Sequence, residues 1–318
     1  MIGNESIDLG LINIYQSWFR YRKGKNPSQD LDHYQYNIDE EIHSLYCDLN
    51  NDTYNHGNYR KFTVTDNKKR EISVASVRDR VVHRLFYDYL VEIFDKTFLF
   101  DIWSCRKGKG LLDAINRAQV FIKKYTNGFV WRADIRNFFY NVDHNILLQL
   151  LRRKIRDEKA IVLLKEIINS FEVTEGVGMP IGNLTSQIFS NIYLNELDRF
   201  VKHKMKCKTY LRYGDDFVIF GRNKDELLRI KALTSDFIEN ELKLDLHPKN
   251  NLIVEAKHGL KFLGVILYPS GRRLSKRNQA RIKDRVNLRN SGSYWGVISQ
   301  HETVEKIKDF QWDLVDSI

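Results

Sequence analysis

An α+β fold is what the sequence predicts, from two hairpin signatures set among segments of helical periodicity. One signature is Tyr210-Leu-Arg-Tyr213 and Phe217-Val-Ile-Phe220, aromatic and β-branched runs around a Gly-Asp-Asp sequence. That pattern predicts two strands joined by a tight turn, where glycine supplies the free φ. The other is Tyr59-Arg-Lys-Phe-Thr-Val-Thr65 and Arg70-Glu-Ile-Ser-Val74, joined through a tip that carries Lys68, Lys69 and Arg70. The helical signal is clearest from Val77 to Phe94. There Val81, Val82, Leu85, Phe86, Tyr89 and Leu90 share a face, while Arg78, Arg80 and Arg84 lie mostly on another.

Taken in order, the chain first shows Trp18-Phe-Arg-Tyr-Arg-Lys-Gly-Lys25, a basic and aromatic cluster ending at Asn26-Pro27. It fits either a nucleic-acid surface or a helix end with solvated lysines. Ile42, Leu45 and Leu49 predict a short helix over 39–49, stopped by Asn50-Asn-Asp52. Ser104-Cys-Arg-Lys-Gly-Lys-Gly110 is glycine-rich and basic but lacks the P-loop pattern, and a helix over 111–125 follows it. Gly128-Phe-Val-Trp-Arg-Ala-Asp134 reads as a strand ending in a carboxylate, and helices follow over 145–156 and 159–171. After the loop Gly176-Val-Gly-Met-Pro-Ile-Gly182, Asn183 or Thr185 caps a long helix striped by Leu184, Ile188, Ile192, Leu197 and Val201. A helix over 225–242 and strands over 251–255 and 261–268 come next. From Arg272 to Arg289 eight basic residues face one acidic residue, Asp284.

Composition narrows the partners. With 42% hydrophobic and 29% charged residues in 318, the chain has the balance of a soluble globular protein. It shows no run of ~18 apolar residues and no basic-then-apolar leader, so neither a membrane span nor a secretory signal is expected. Cys47, Cys105 and Cys207 are scattered. That argues against a zinc site or disulfide framework and fits a reducing cytoplasm. Lys and Arg outnumber Asp and Glu by 51 to 41, and the resulting charge of +10 favours a polyanionic partner.

Adjacent carboxylates between hydrophobic strands, as at Asp215 and Asp216, are costly unless something neutralises them, and hard divalent cations do so through carboxylate oxygens. A surface turn with acidic residues at its tip is the alternative for this hairpin alone. Asp134, at another strand end, tips the balance. Two-metal phosphoryl transfer places cations ~3.5–4 Å apart between attacking and leaving oxygens. Magnesium needs few protein carboxylates when substrate phosphates and water complete its shell.

The ordered set then resembles the reverse transcriptases of the bacterial retroelement (group II intron-like) superfamily. Ala133-Asp-Ile-Arg-Asn-Phe-Phe139 resembles the family's first palm motif, Gly178-Met-Pro-Ile-Gly-Asn-Leu-Thr-Ser-Gln187 its second, and Tyr213-Gly-Asp-Asp216 its YxDD box. Leu244-Asp-Leu-His-Pro-Lys249 and Leu260-Lys-Phe-Leu-Gly264 resemble the motifs that close the palm. Lys69-Arg-Glu-Ile-Ser73, Arg78-Asp-Arg80 and Ser104-Cys-Arg-Lys-Gly108 resemble parts of the fingers.

The resemblance implies a right-hand polymerase: an N-terminal region and fingers over 1–127, a palm over 128–268 with a helical insertion around 145–175, and a short basic thumb over 269–318. The palm would be an antiparallel sheet backed by helices. It implies an RNA-directed DNA polymerase, a nucleotidyltransferase adding dNTPs to a primer 3′-hydroxyl with two Mg2+ ions, for which Mn2+ can substitute. Asp134, Asp215 and Asp216 would be catalytic metal ligands, joined by the carbonyl of Ile135. Lys69, Arg70, Ile135, Phe139, Gly182, Gln187 and Lys249 would meet the nucleotide. Phe139 would serve as the steric gate against a ribose 2′-hydroxyl and Lys249 as a candidate general acid. Arg78, Arg80, Arg106, Ser186, Leu263 and Gly264 would meet template or primer.

The second palm motif departs from the common Gln-Gly…Ser-Pro, reading Ile181-Gly182…Ser186-Gln187. That version resembles the reverse transcriptases of diversity-generating retroelements and implies error-prone copying. Gly214 in the box also departs from the commoner Ala, Met or Val. A phage-defence polymerase that copies a dedicated noncoding RNA, or makes DNA without a template, is the alternative. Partners implied are an RNA template, a DNA or RNA primer, dNTPs, and a structured noncoding RNA or an accessory protein, with no membrane.

Overall fold

The computed structural model describes residues 6–65, 69–287 and 289–315, so Lys68 of the hairpin tip lies outside the described residues. Helices α1 (Leu11–Arg22), α2 (Gln29–Tyr36) and α3 (Ile38–Asn50) precede the hairpin β1 (Arg60–Thr65) and β2 (Lys69–Val74). Next come α4 (Val77–Phe94), α5 (Leu111–Lys124), β3 (Phe129–Asp134), α6 (His144–Arg152), α7 (Glu158–Asn169) and α8 (Leu184–Arg199). Strands β4 (Tyr210–Tyr213) and β5 (Asp216–Gly221), helix α9 (Lys224–Leu242) and strand β6 (Leu252–Glu255) follow. Last are β7 (Leu260–Phe262), β8 (Val265–Tyr268), β9 (Gly271–Leu274), α10 (Lys276–Arg285), α11 (Ser291–His301) and α12 (Val304–Val315).

These elements form two compact units. The first comprises residues up to Phe100, Ile135–Phe200 and Asp236–Asp245. In it α1 and α8 pack on α4, and α6 packs on α7 and α8, burying Ile14, Trp18, Val81, Phe86 and Ile188. Side chains at the helix starts satisfy first-turn N–H groups: the Ser76 hydroxyl accepts from Asp79, Asp143 from Ile146, and Asp157 from Ala160. Strand β2 is tied to the loop before α8. The Ser73 N–H donates to the Ile181 carbonyl at 3.1 Å, and the Asn183 amide donates to the Ser73 carbonyl at 3.0 Å.

A buried polar network anchors α4. Asp79 accepts from the Tyr54 hydroxyl at 2.8 Å and the Ser76 hydroxyl at 2.6 Å. Beside it, His56 Nδ1 lies 2.7 Å from the Gly57 carbonyl and therefore carries the proton. Its Nε2 then accepts from His83 Nε2–H at 3.0 Å. Burial first, and then the positive charge of Arg80, pushes His83 down to about 3. An unfolded histidine takes up its proton near pH ~6.5, whereas folded His83 does not until far lower. The contribution is therefore intact above that value and lost as pH falls through the window, by up to ~1.4 kcal/mol per pH unit. Replacing His83 by Gln should make the urea midpoint fall less steeply on acidification than in the wild type.

The second unit comprises Asp101–Asp134, Val201–Ser235 and Leu246–Ile318. Its main sheet is antiparallel with strand order β4-β5-β3-β6, and β7-β8-β9 form a smaller sheet. Val130, Leu211, Val218 and Phe220 from the main sheet share a core with Ala114, Ala118 and Ile122 of α5 and with Phe262 and Leu267 of the smaller sheet. Ile282, Ile298 and Phe310 of α10–α12 complete it. Pairing of β3 with β5 sets Trp131 opposite Ile219, Ala133 opposite Phe217 and, at the end of the ladder, Asp134 opposite Asp216.

The structure corrects one expectation. The strand expected over 261–268 is a hairpin, β7 and β8, turning at Leu263-Gly264, where both residues have positive φ (48° and 85°). Strand β9 and helix α2 were not expected, because their residues are too polar or too few to show periodicity. The cap of α8 is Asn183, the first of the two candidates. Among the described residues no helix is long and apolar enough to cross a membrane.

Candidate active site

Three aspartates lie at one end of the main sheet because the strand register puts them there. Asp134 ends β3, Asp216 begins β5 opposite it, and Asp215 sits in the two-residue turn with Gly214. Gly214 has φ 65°, the positive value that hairpin turns of this length need at their first central position. Two side chains fix the turn. The Gly214 N–H donates to the Ser104 hydroxyl at 2.9 Å, and the buried Arg212 guanidinium donates to the Gly214 carbonyl at 2.9 Å. Ser104 is in reach because its segment runs along β4: the Trp103 N–H donates to the Arg212 carbonyl and the Arg212 N–H to the Asp101 carbonyl, each at 3.0 Å.

A neighbouring strand holds one of the other two carboxylates, and the turn before β6 holds the other. Arg132 Nε and Nη2 each donate to Asp216 Oδ1 at 3.1 Å. Asp134 Oδ2 accepts from the Asn250 amide at 2.9 Å, and the Asp134 carbonyl accepts from the His247 N–H at 2.7 Å. The donor set is hard oxygen, matched to a cation such as Mg2+. Among the described residues no three His, Cys, Asp or Glu side chains converge as a finished metal cage. Magnesium does not require one, since water and substrate phosphates supply most of its ligands. The residues therefore fit the implied ions.

Of the other expected site residues in this unit, Lys249 is exposed, and its N–H donates to His247 Nδ1 at 3.2 Å. The Arg106 guanidinium donates to the Ile102 carbonyl at 3.3 Å. Leu263 and Gly264 form the β7–β8 turn, and Asn278 Nδ2 donates to the Gly264 carbonyl at 3.0 Å. A Cβ at Gly264 would come within 2.5 Å of that amide, so the close approach itself calls for glycine.

The first unit carries the rest. Ile135 is buried and follows Asp134 directly in the chain. Phe139 is half-buried and meets Phe138 edge-on, with centroids 5.4 Å apart, and its carbonyl accepts from the Met179 N–H at 2.6 Å. Lys69 and Arg70 are exposed on β2, paired with Thr65 and Val64. Arg78 instead ion-pairs with Asp48, joining α4 to α3. Ser186 is buried in the first turn of α8, at 1% exposure, so its side chain does not face solvent.

Gly182 and Gln187 are exposed and line a cavity of about 290 Å³ together with Arg20, Lys23, Lys25, Arg80 and Arg84. Lys25 Nζ and the Arg80 guanidinium lie 5.7 and 5.3 Å from the Tyr21 ring centroid. Helix α8 starts at this cavity with Asn183 at its N-cap position, whose side chain makes no capping hydrogen bond and donates instead to the Ser73 carbonyl. Its free N–H groups add positive potential. The structure thus joins the basic 18–25 segment to the second palm motif, a pairing that sequence separation hid. Arg132 and Asn250 were also missed. For Arg132 the signal existed: two residues before Asp134 on a strand, it must share that residue's face.

Comparison with known proteins agrees with this geometry. The family described as Reverse transcriptase (RNA-dependent DNA polymerase) matches residues 59–267. Protein YkfC of Escherichia coli (strain K12) is 25% identical over 241 residues, covering 63% of this chain and 63% of its own length. Group II intron-encoded protein LtrA of Lactococcus lactis subsp. cremoris is 23% identical over 300 residues, covering 71% of this chain and 49% of its own length. The chain thus spans less than two thirds of these relatives. In fold it is similar to apo telomerase from Candida tropicalis, with a TM-score of 0.52 at 12% identity over 80% of this chain and 56% of that one. The chain belongs to the reverse transcriptase (RNA-dependent DNA polymerase) family and has the right-hand polymerase fold.

Proposed function

We propose that the protein is an RNA-directed DNA polymerase that adds dNTPs to a primer 3′-hydroxyl on an RNA template. The observation that carries the reading is the placement of Asp134, Asp215 and Asp216 at one end of β3 and β5, inside the segment that matches the family. Asp134 and Asp215 would hold divalent ions, with the Ile135 carbonyl assisting one. When bound, such ions lower the pKa of the attacking hydroxyl and stabilise charge on the leaving pyrophosphate. The chain's own groups position the reactants. Lys69 and Arg70, exposed on β2, offer charge-assisted hydrogen bonds to a triphosphate. Phe139, held by Phe138 and the Met179 N–H, offers a rigid wall against a 2′-hydroxyl. Arg80, Gly182 and Gln187 line the basic cavity that would receive template, and Leu263-Gly264 would seat the primer end. Lys249 is free to approach a leaving group as an acid, being exposed.

The finer reading is a polymerase of a diversity-generating retroelement. Its support is Ile181 in the second palm motif, which puts an aliphatic side chain where a glutamine could police base-pair geometry by hydrogen bonding. Primer extension on a defined RNA template with Mg2+ and dNTPs, followed by sequencing, tests both levels. DNA product rich in misincorporation opposite template adenines is expected. Accurate product would remove the retroelement assignment, and no product, or equal use of ribonucleotides, would overturn the polymerase reading.

A further inference from the structure

One buried nitrogen on α4 has no partner. His56 Nδ1 carries the proton of its ring, and His56 Nε2 accepts from His83 Nε2–H at 3.0 Å. A neutral imidazole holds a single N–H, so His83 Nδ1 is a bare acceptor. Burial holds the ring neutral until far below its ordinary range, and that lone pair stays open. His83 is 1% exposed, and no group among the described residues donates to Nδ1. An acceptor in that state forfeits the hydrogen bond that water gave it in the unfolded chain. The fold sets it in the wall of the basic cavity, together with Arg80 one turn earlier on α4 and with Arg20, Lys25 and Gln187.

Those neighbours define the ligand chemistry. The cations suit phosphates, whereas the bare acceptor needs a donor close beside them. A ribonucleotide carries both, because its 2′-hydroxyl lies next to a phosphate on the same sugar, and a deoxyribonucleotide lacks that donor. We propose that His83 Nδ1 accepts from a template ribose 2′-hydroxyl in this cavity and so makes the chain favour RNA over DNA as template. The inference rests on the RNA-templated reading above and deepens it. Because Nδ1 is buried, a neighbouring side chain must give way. Arg80 is the suitable one: the Tyr21 ring and the Ser76 carbonyl, 3.3 Å from its Nε, are weak holds on a guanidinium, and a phosphate outbids them. The strand then meets cations along its backbone and His83 at its sugar.

The test is equilibrium binding of the full chain to a short oligouridylate and to its fully 2′-fluoro counterpart, without metal or nucleotide. Fluorine keeps the bases and the sugar pucker of RNA but cannot donate, so the ratio of the two affinities isolates the hydroxyl. Two substitutions separate the ring nitrogens. Glutamine carries its amide nitrogen as many bonds from Cβ as Nε2 and can still donate to His56. Asparagine carries its oxygen as many bonds from Cβ as Nδ1 and can still accept. His83→Gln should bind the 2′-fluoro strand as the wild type does and the ribose strand about fivefold more weakly, the size of one hydrogen bond. His83→Asn should keep the wild-type ratio while melting at a lower temperature, since its link to His56 is lost. A wild type that binds both strands equally would overturn the proposal, as would an unchanged ratio in His83→Gln, which would leave Nδ1 to a buried water. A ratio abolished by both variants would overturn it too, marking a general loosening of α4. The template reading fails separately: if Lys25→Ala, Arg80→Ala binds both strands as the wild type does, the cavity holds no RNA and the proposal falls with it.

Discussion

Asp134→Asn and Asp215→Asn should each lower primer extension on an RNA template by about 10³-fold, as expected when a group that organises charge in the transition state is lost. The substitutions keep side-chain size and remove only charge. Both positions lie at the open end of the β3–β5 ladder, where the residues are half-exposed rather than packed into the core. At position 134 asparagine keeps an oxygen that can accept from the Asn250 amide, so the melting temperature of Asp134→Asn should stay level. The loss should appear in the rate of the first nucleotide added under single-turnover conditions, with affinity for the primer–template little changed. Equal product from either variant would remove these aspartates from the chemistry.

The site was legible in the sequence where local chemistry and geometry coincide. The 210–220 hairpin has aromatic and β-branched arms and a glycine at the one position with positive φ, so its strands and turn could be read directly. The β7–β8 turn could not. Leu263 is an apolar residue in the left-handed region, and its turn is held by Gly264 and by Asn278 from α10, a tertiary contact that periodicity does not see. Helix α2 is polar along most of its length and keeps only Leu31 and Tyr34 buried, too short a stripe to stand out. Side-chain partners were hidden for the same reason. Arg78 lies in a segment that resembles the fingers and offers its charge to any anion in principle, but the fold supplies Asp48 from α3. Ser104 sits in a glycine-rich basic run that invites a phosphate, yet its hydroxyl accepts the N–H of Gly214. A motif discloses which residues matter long before it discloses what each one touches.

The cavity lined by α1, α4 and the start of α8 yields the second large effect. Arg20 and Arg84 both ion-pair with Asp88, at 2.9 and 2.7 Å, so that one carboxylate answers two guanidinium groups. Lys23, Lys25 and Arg80 add three further cations. The contacts of Lys25 and Arg80 with the Tyr21 ring leave their charge uncancelled, since an aromatic face carries a quadrupole and no net charge. Like charges gathered around one cavity raise its potential and favour a polyanion over any neutral occupant. The triple variant Lys23→Ala, Lys25→Ala, Arg80→Ala should therefore weaken binding of single-stranded RNA by about 10²-fold at physiological salt. It should also make the slope of log affinity against log salt shallower by about 2, which is three phosphate contacts at about 0.7 each for a single strand. Lys23 and Lys25 are exposed, so their removal should cost the fold little. The salt slope is the decisive measurement, because unfolding lowers the amount of active protein at every salt concentration alike, whereas lost phosphate contacts change the slope. Weaker binding with the wild-type slope would mean that the cavity shapes the fold and does not hold the strand.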